Sequence, residues 1–210
     1  FIEQNKARPF FLYLSYYSVH TPLQAPKERV AKYEKKPKGE RHKNSTYAAM
    51  VESVDYSVGR VMARLEKLGL AKNTVVIFTS DNGGHGRITS HQPLRGNKGN
   101  FYEGGIRVPL IVKWPGVIKP ASTCKVPVIS TDYYPTLLAM TGLPARPQQH
   151  LDGLNLLPLL KQTGSVERKA LYWHYPNYIG AGHPGGARPC GVIRAGDWKL
   201  IESFENNRLE

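Results

Sequence analysis

Apolar residues fall along this chain in two rhythms. From Tyr47 they recur at Val51, Val54, Val58, Val61, Leu65 and Leu68, in alternating steps of four and three, which gathers them on one face of a long helix. Asn44-Ser45 precedes that run as a cap and Gly69 follows it as a stop. Largely apolar runs at 9–16 and 74–79 read as buried strands on either side of the helix. Strand, helix and strand in that order predict a right-handed parallel crossover. A third strand is expected at about 108–113, and Trp114-Pro115-Gly116 then turns the chain away.

The second half changes character. Thr131-Asp132 is placed to cap a short helix through Tyr134, Leu137, Leu138 and Met140, closed by Gly142, and 152–160 reads as a further short helix or turn. Leu171-Tyr172-Trp173-His174-Tyr175 predicts a strand, and 190–194 with 198–203 an antiparallel hairpin around Gly196-Asp197. The stretch 176–186 is too rich in glycine and proline for regular structure, and no internal repeat is present.

At 210 residues, 40% hydrophobic and 21% charged, the composition is globular and sufficient for one domain or one and a half. No apolar run approaches the ~20 residues that span a bilayer, so no membrane span is expected. Cys124 and Cys190 are far apart and lack metal-ligand spacing, so they make no disulfide framework and leave the compartment open. A net charge of +13 favours polyanionic partners by long-range steering. Much of it lies in 32–43, which by itself reads as a solvated loop. Nucleic acid is not expected, because no helix-turn-helix, zinc-finger or ribonucleoprotein signature accompanies the charge.

Three motifs carry chemistry. Ser80-Asp81-Asn82-Gly83-Gly84 ends the strand Val75-Val76-Ile77-Phe78 in two adjacent hard-oxygen side chains, half of a divalent-cation site at the carboxyl end of a strand. The same residues by themselves also describe an ordinary turn. His20 follows the strand at 9–16, in Val19-His20-Thr21-Pro22, and as a lone loop histidine it reads either as a proton donor or as a local hydrogen-bonding group. Lys98 lies in Pro93-Leu94-Arg95-Gly96-Asn97-Lys98-Gly99-Asn100-Phe101-Tyr102-Glu103-Gly104-Gly105, within a long loop expected to cover the sheet's carboxyl end. Arg95, His85, His91, His174 and His183 are further candidates for contacts that set specificity.

With these three motifs in this order, and a tail Val192-Ile193-Arg194-Ala195-Gly196-Asp197-Trp198-Lys199-Leu200-Ile201, the chain resembles the formylglycine-dependent sulfatases of the alkaline phosphatase superfamily. The resemblance implies an α/β fold: an alkaline phosphatase-like sheet flanked by helices, with a small antiparallel C-terminal subdomain. On this reading 1–165 is the C-terminal part of the catalytic domain, 166–210 begins the subdomain, and the N-terminal part of the fold lies outside this sequence. It implies that Asp81 and Asn82 are ligands of Ca²⁺, that Lys98 and His20 contact the sulfate, and that His20 gives the leaving group its proton. His174 and Arg95 are substrate-binding candidates by position alone, and His174 reads equally as a structural histidine beside Trp173 and Tyr175. The partner implied is a sulfated carbohydrate or aryl sulfate, which the basic stretch would attract, and the address extracellular, periplasmic or lysosomal. Oligomeric state is not legible.

Cys/Ser-x-Pro-x-Arg, the sequence from which the family makes its formylglycine, is absent from these 210 residues, as are paired N-terminal aspartates. The expectation is therefore a sulfatase fragment, inactive as isolated. A phosphodiesterase or phosphonate hydrolase of the same superfamily and a non-catalytic polyanion-binding module are the alternatives, with the Lys98 motif favouring sulfate.

Overall fold

A computed structural model describes residues 1–179 and 187–210. His183 and most of the glycine-rich stretch lie outside the described residues. The chain divides into two compact units, Phe1–Ile111 and Val112–Glu210.

In the first unit, a short helix α1 (Ile2–Asn5) precedes α2 (Lys27–Glu34) and the long α3 (Ser45–Lys67). The cap of α3 forms as read: the Asn44 side chain accepts a 2.8 Å hydrogen bond from the Tyr47 amide, satisfying one of the orphan donors of the first turn. Gly69, at φ +71°, ends it in the left-handed conformation that glycine reaches without steric cost. The buried face holds Ala49, Met50 and Leu65, whereas Val51, placed on that face by spacing alone, is exposed. The shift has a cause, because α2 packs along α3 and supplies a polar seam. Arg29 donates to Ser53 Oγ at 2.7 Å and lies over the Tyr56 ring, while Lys32 pairs with Glu52 at 3.0 Å. The first residues of the basic stretch are thus helical rather than loop.

Residues 9–16 form no strand. Phe11, Tyr13 and Leu14 are exposed, and among the described residues no neighbouring strand supplies a ladder. A run that is apolar on both faces becomes a strand only between partners that pair its amides and cover its side chains. The expected crossover into α3 is consequently not formed. Strand β1 (Val76–Thr79) does form, two residues shorter than the strand expected at 74–79. After a long loop and the short helix α4 (Glu103–Ile106), it pairs with β2 (Leu110–Lys113).

The second unit carries α5 (Tyr133–Met140), α6 (Leu157–Leu160) and an antiparallel sheet in the order β3 (Leu171–Tyr175), β4 (Cys190–Ala195), β5 (Trp198–Ser203). Trp173 pairs with Val192 and Val192 with Ile201, so one face is covered while Tyr172 and Trp198 are exposed. Gly196, at φ +56°, makes the tight β4–β5 turn. Asp132, read as a helix cap, has a larger task. Its fully buried carboxylate accepts from the Ile129 and Leu154 amides at 2.9 and 2.8 Å and takes both Nη groups of Arg168. Three distant segments meet at one side chain. Both cysteines are free, Cys124 exposed and Cys190 buried on β4, where desolvation pushes the thiol pKa up.

Candidate active site

At the carboxyl end of β1 the chain turns through Asp81 and Asn82 and then runs main chain against main chain with the loop that bears Lys98. Gly83 N–H donates to Gly105 O at 2.8 Å, Lys98 N–H to Gly84 O at 3.0 Å, and Gly104 N–H to Arg95 O at 2.7 Å. The glycines here are not chiefly turn residues. A Cβ on Gly83 would sit 1.9 Å from Gly104 O, one on Gly104 2.3 Å from Gly96 O, and one on Gly105 1.9 Å from Asn100 O. Nothing larger than hydrogen fits between these backbones. Gly96 and Gly99, at φ +85° and +93°, supply the left-handed turns on either side of Asn97 and Lys98.

Sequence-distant groups are therefore joined as one piece: Asp81, Asn82, Arg95 and Lys98. Asp81 is exposed and Asn82 half-buried, and the Asn82 amide donates to the Asp81 carboxylate. Lys98 is half-buried, and among the described residues its ammonium makes no hydrogen bond or ion pair. Arg95 lies with its guanidinium 3.8 Å from the Tyr102 ring centre and donates to Tyr102 Oη at 2.9 Å, a cation held over an aromatic face.

His91 closes the turn from the other side. The Gly84 amide donates to His91 Nε2 at 2.7 Å, so this ring is a neutral acceptor with its proton on Nδ1. Burial and, secondarily, the nearby His42 hold its pKa below the ordinary value. Read from sequence as a possible specificity contact, His91 here braces the backbone of the Asp-Asn-Gly-Gly turn. His85 accepts from the Arg87 amide at 3.2 Å and is exposed.

His20 sits on its own exposed loop. Its Nδ1 is 2.8 Å from Thr21 O, a carbonyl that can only accept, so Nδ1 carries hydrogen and Nε2 is the nitrogen able to take up or give a proton. The ring lies edge-on to Tyr17, whose hydroxyl donates to the same carbonyl at 2.7 Å. Among the described residues no hydrogen bond joins His20 to Asp81, Asn82 or Lys98. His174 belongs to the second unit, on β3, with its ring 5.4 Å from that of Phe204 and opposite Gly191 in the sheet.

Two adjacent hard-oxygen donors suit Ca²⁺ or Mg²⁺ rather than a thiophilic metal. A Ca²⁺ takes six to eight oxygens, of which this pair would supply two, and among the described residues no group of three His, Cys, Asp or Glu gathers.

A family model described as Sulfatase matches residues 1–143, and one described as N-sulphoglucosamine sulphohydrolase, C-terminal, matches 96–209. The chain belongs to the sulfatase family. It is 42% identical, over 99% of its length, to a sulfatase of Formosa agariphila, covering 40% of that protein. Against the steryl-sulfatase of Mus musculus it is 36% identical over 84% of its length, covering 28% of that protein. The crystal structure of Ps i-CgsB in complex with k-i-k-neocarrahexaose matches with a TM-score of 0.81 at 34% identity, covering 98% of this chain and 44% of that one. The chain thus spans less than half the length of these relatives, and its α/β elements belong to their alkaline phosphatase-like fold.

Among the described residues no helix is long and apolar enough to cross a membrane.

Proposed function

We propose that this chain supplies part of the active site of an enzyme that hydrolyses sulfate monoesters, with a sulfated carbohydrate as substrate. The observation that carries the reading is the main-chain union of the Asp81-Asn82 turn with the Lys98 loop, which holds a hard-oxygen pair and an uncommitted ammonium in one piece. Family membership and the sugar named in the Ps i-CgsB complex support the substrate class.

A sulfate ester is cleaved when its non-bridging oxygens meet positive charge, a nucleophile reaches sulfur and the departing alkoxide receives a proton. Lys98 offers the positive charge. His20, with Nδ1 committed to Thr21 O, offers Nε2–H to the leaving oxygen when protonated. Asp81 and Asn82 would hold a divalent cation, which when bound polarises a sulfate oxygen. The nucleophile on this reading is a formylglycine encoded outside these 210 residues, and it supplies an attacking hydroxyl. Arg95 and His174 are assigned to the sugar. An address outside the cytosol, whether extracellular, periplasmic or lysosomal, rests on the family alone.

The test is turnover of 4-nitrophenyl sulfate by the longer protein that includes the nucleophile. Lys98→Ala and His20→Ala each lower it by about 10²-fold or more, the scale of one transition-state donor or one general acid. The 210-residue chain by itself is expected to release no sulfate. Unchanged turnover in both variants, or faster release from 4-nitrophenyl phosphate than from the sulfate, would overturn the assignment.

A further inference from the structure

Beside the Lys98 loop, within the first unit, lies a groove of about 640 Å³ walled by Arg41, Lys43, Asn44 and the loop residues from Gly86 to Asn97. Its walls carry Arg41, Lys43, Arg87 and Arg95, and no carboxylate is among the residues that line it. Arg95 is engaged with Tyr102, but Arg41, Lys43 and Arg87 are exposed and in no ion pair among the described residues. Elsewhere Lys32, Arg64, Arg107, Arg168 and Arg188 each have an acidic partner. Cations gathered in one concavity, with no acid among its lining residues, make a local positive potential.

The groove is also tied together across 47 residues of sequence. His42 Nδ1 lies 3.1 Å from Thr89 Oγ1, which fastens the basic stretch to the opposite wall. At the floor, a Cβ on Gly86 would lie 2.3 Å from Asn97 Nδ2, so the Asn97 amide is packed on bare backbone, one residue from Lys98. Hydroxyl and amide groups of Thr89, Ser90 and Asn97 accompany the cations. Such a lining matches an oxyanion that both pairs with charge and accepts hydrogen bonds.

We propose that this groove is a second anion subsite, which holds a sulfate group on a sugar next to the one whose sulfate reaches Lys98. Arg41, Lys43 and Arg87 bind it. The assignment rests on the sulfated-carbohydrate reading above and adds that the chain prefers multiply sulfated polymers to singly sulfated ones.

Binding is read by calorimetry on the 210-residue chain with an oligomeric dextran sulfate, unsulfated dextran of equal length and polyglutamate of equal charge. Arg41→Ala with Arg87→Ala weakens dextran sulfate binding about three- to tenfold, the scale of losing two exposed ion pairs, and lessens its salt dependence. Arg41→Lys with Arg87→Lys retains most of the affinity, and Lys67→Ala with Lys72→Ala, two exposed lysines remote in sequence from the groove, serves as the charge-matched control. Equal losses in that control, no loss in the Arg41→Ala, Arg87→Ala variant, or polyglutamate binding as tightly as dextran sulfate would each overturn the subsite. Because no turnover is measured, the groove survives if Lys98→Ala and His20→Ala leave hydrolysis intact, and fails independently if it does not select sulfate.

Discussion

Replacing Gly83 by alanine tests whether the cation motif and the lysine loop are one mechanical piece. The added methyl would lie 1.9 Å from Gly104 O and 2.9 Å from Gly104 C. A carbon and a carbonyl oxygen rest at about 3.3 Å, so one backbone must yield by roughly 1.4 Å. Gly104 has no room to retreat, since its amide is bonded to Arg95 O at 2.7 Å and its own Cα faces Gly96 O. Overpacking of this kind costs about 1–3 kcal/mol, and separating the Gly83 amide from Gly105 O adds about 1–3 kcal/mol for a buried donor left unmade. The expected loss is about 2–6 kcal/mol in urea unfolding followed by circular dichroism. Gly59→Ala on α3, where nothing lies within 4 Å of the new methyl, should instead stabilise by about 0.5–1 kcal/mol. Terbium luminescence titration would report the Asp81-Asn82 oxygens, and Gly83→Ala should weaken it. A Gly83→Ala chain as stable as the parent, with undiminished terbium binding, would refute the argument.

Two further outcomes follow from the same geometry. Arg168→Met strands a carboxylate that is 0% exposed, leaving it only two amides, and should cost about 3–5 kcal/mol in urea unfolding; Asp132→Asn in the same chain should recover part of that, and strict additivity of the two would contradict the pairing. His91 has its folded-state pKa held below the ordinary 6.5, so the unfolded chain binds more protons and the stability it contributes is complete above 6.5 and lost as pH falls through the lowered value. Thermal melting between pH 4 and 8 should show this acid-side loss, and His91→Asn should flatten it; an unchanged profile in the variant would remove His91 from the account.

Legibility in the sequence followed the range of the interactions. Helix α3 and the β4–β5 hairpin were readable because their signals are local: a cap three residues from the amide it serves, a period of apolar residues, a glycine in the turn. The stretch 9–16 was misread because strand formation depends on a neighbour that composition does not reveal. Asp132 looked like a cap since its decisive partner, Arg168, is 36 residues away. The Asp-Asn-Gly-Gly motif reads in sequence as half of a cation site or as a turn, and neither reading shows what its glycines touch. Gly83, Gly104 and Gly105 are contact surfaces, which no single stretch discloses, while Gly96 and Gly99 do the bending. The groove beside Lys98 escaped for the same reason, because Arg41 and Arg87 come from opposite walls.

Because the fixings between the turn after β1 and the Lys98 loop run through amides and carbonyls, they do not depend on which side chain stands at 98. The mount and the tool it carries are separable. A descendant or engineered chain could trade the ammonium at 98 for another oxyanion-binding group without loosening the frame, so a change of preferred ester need not begin with a change of scaffold.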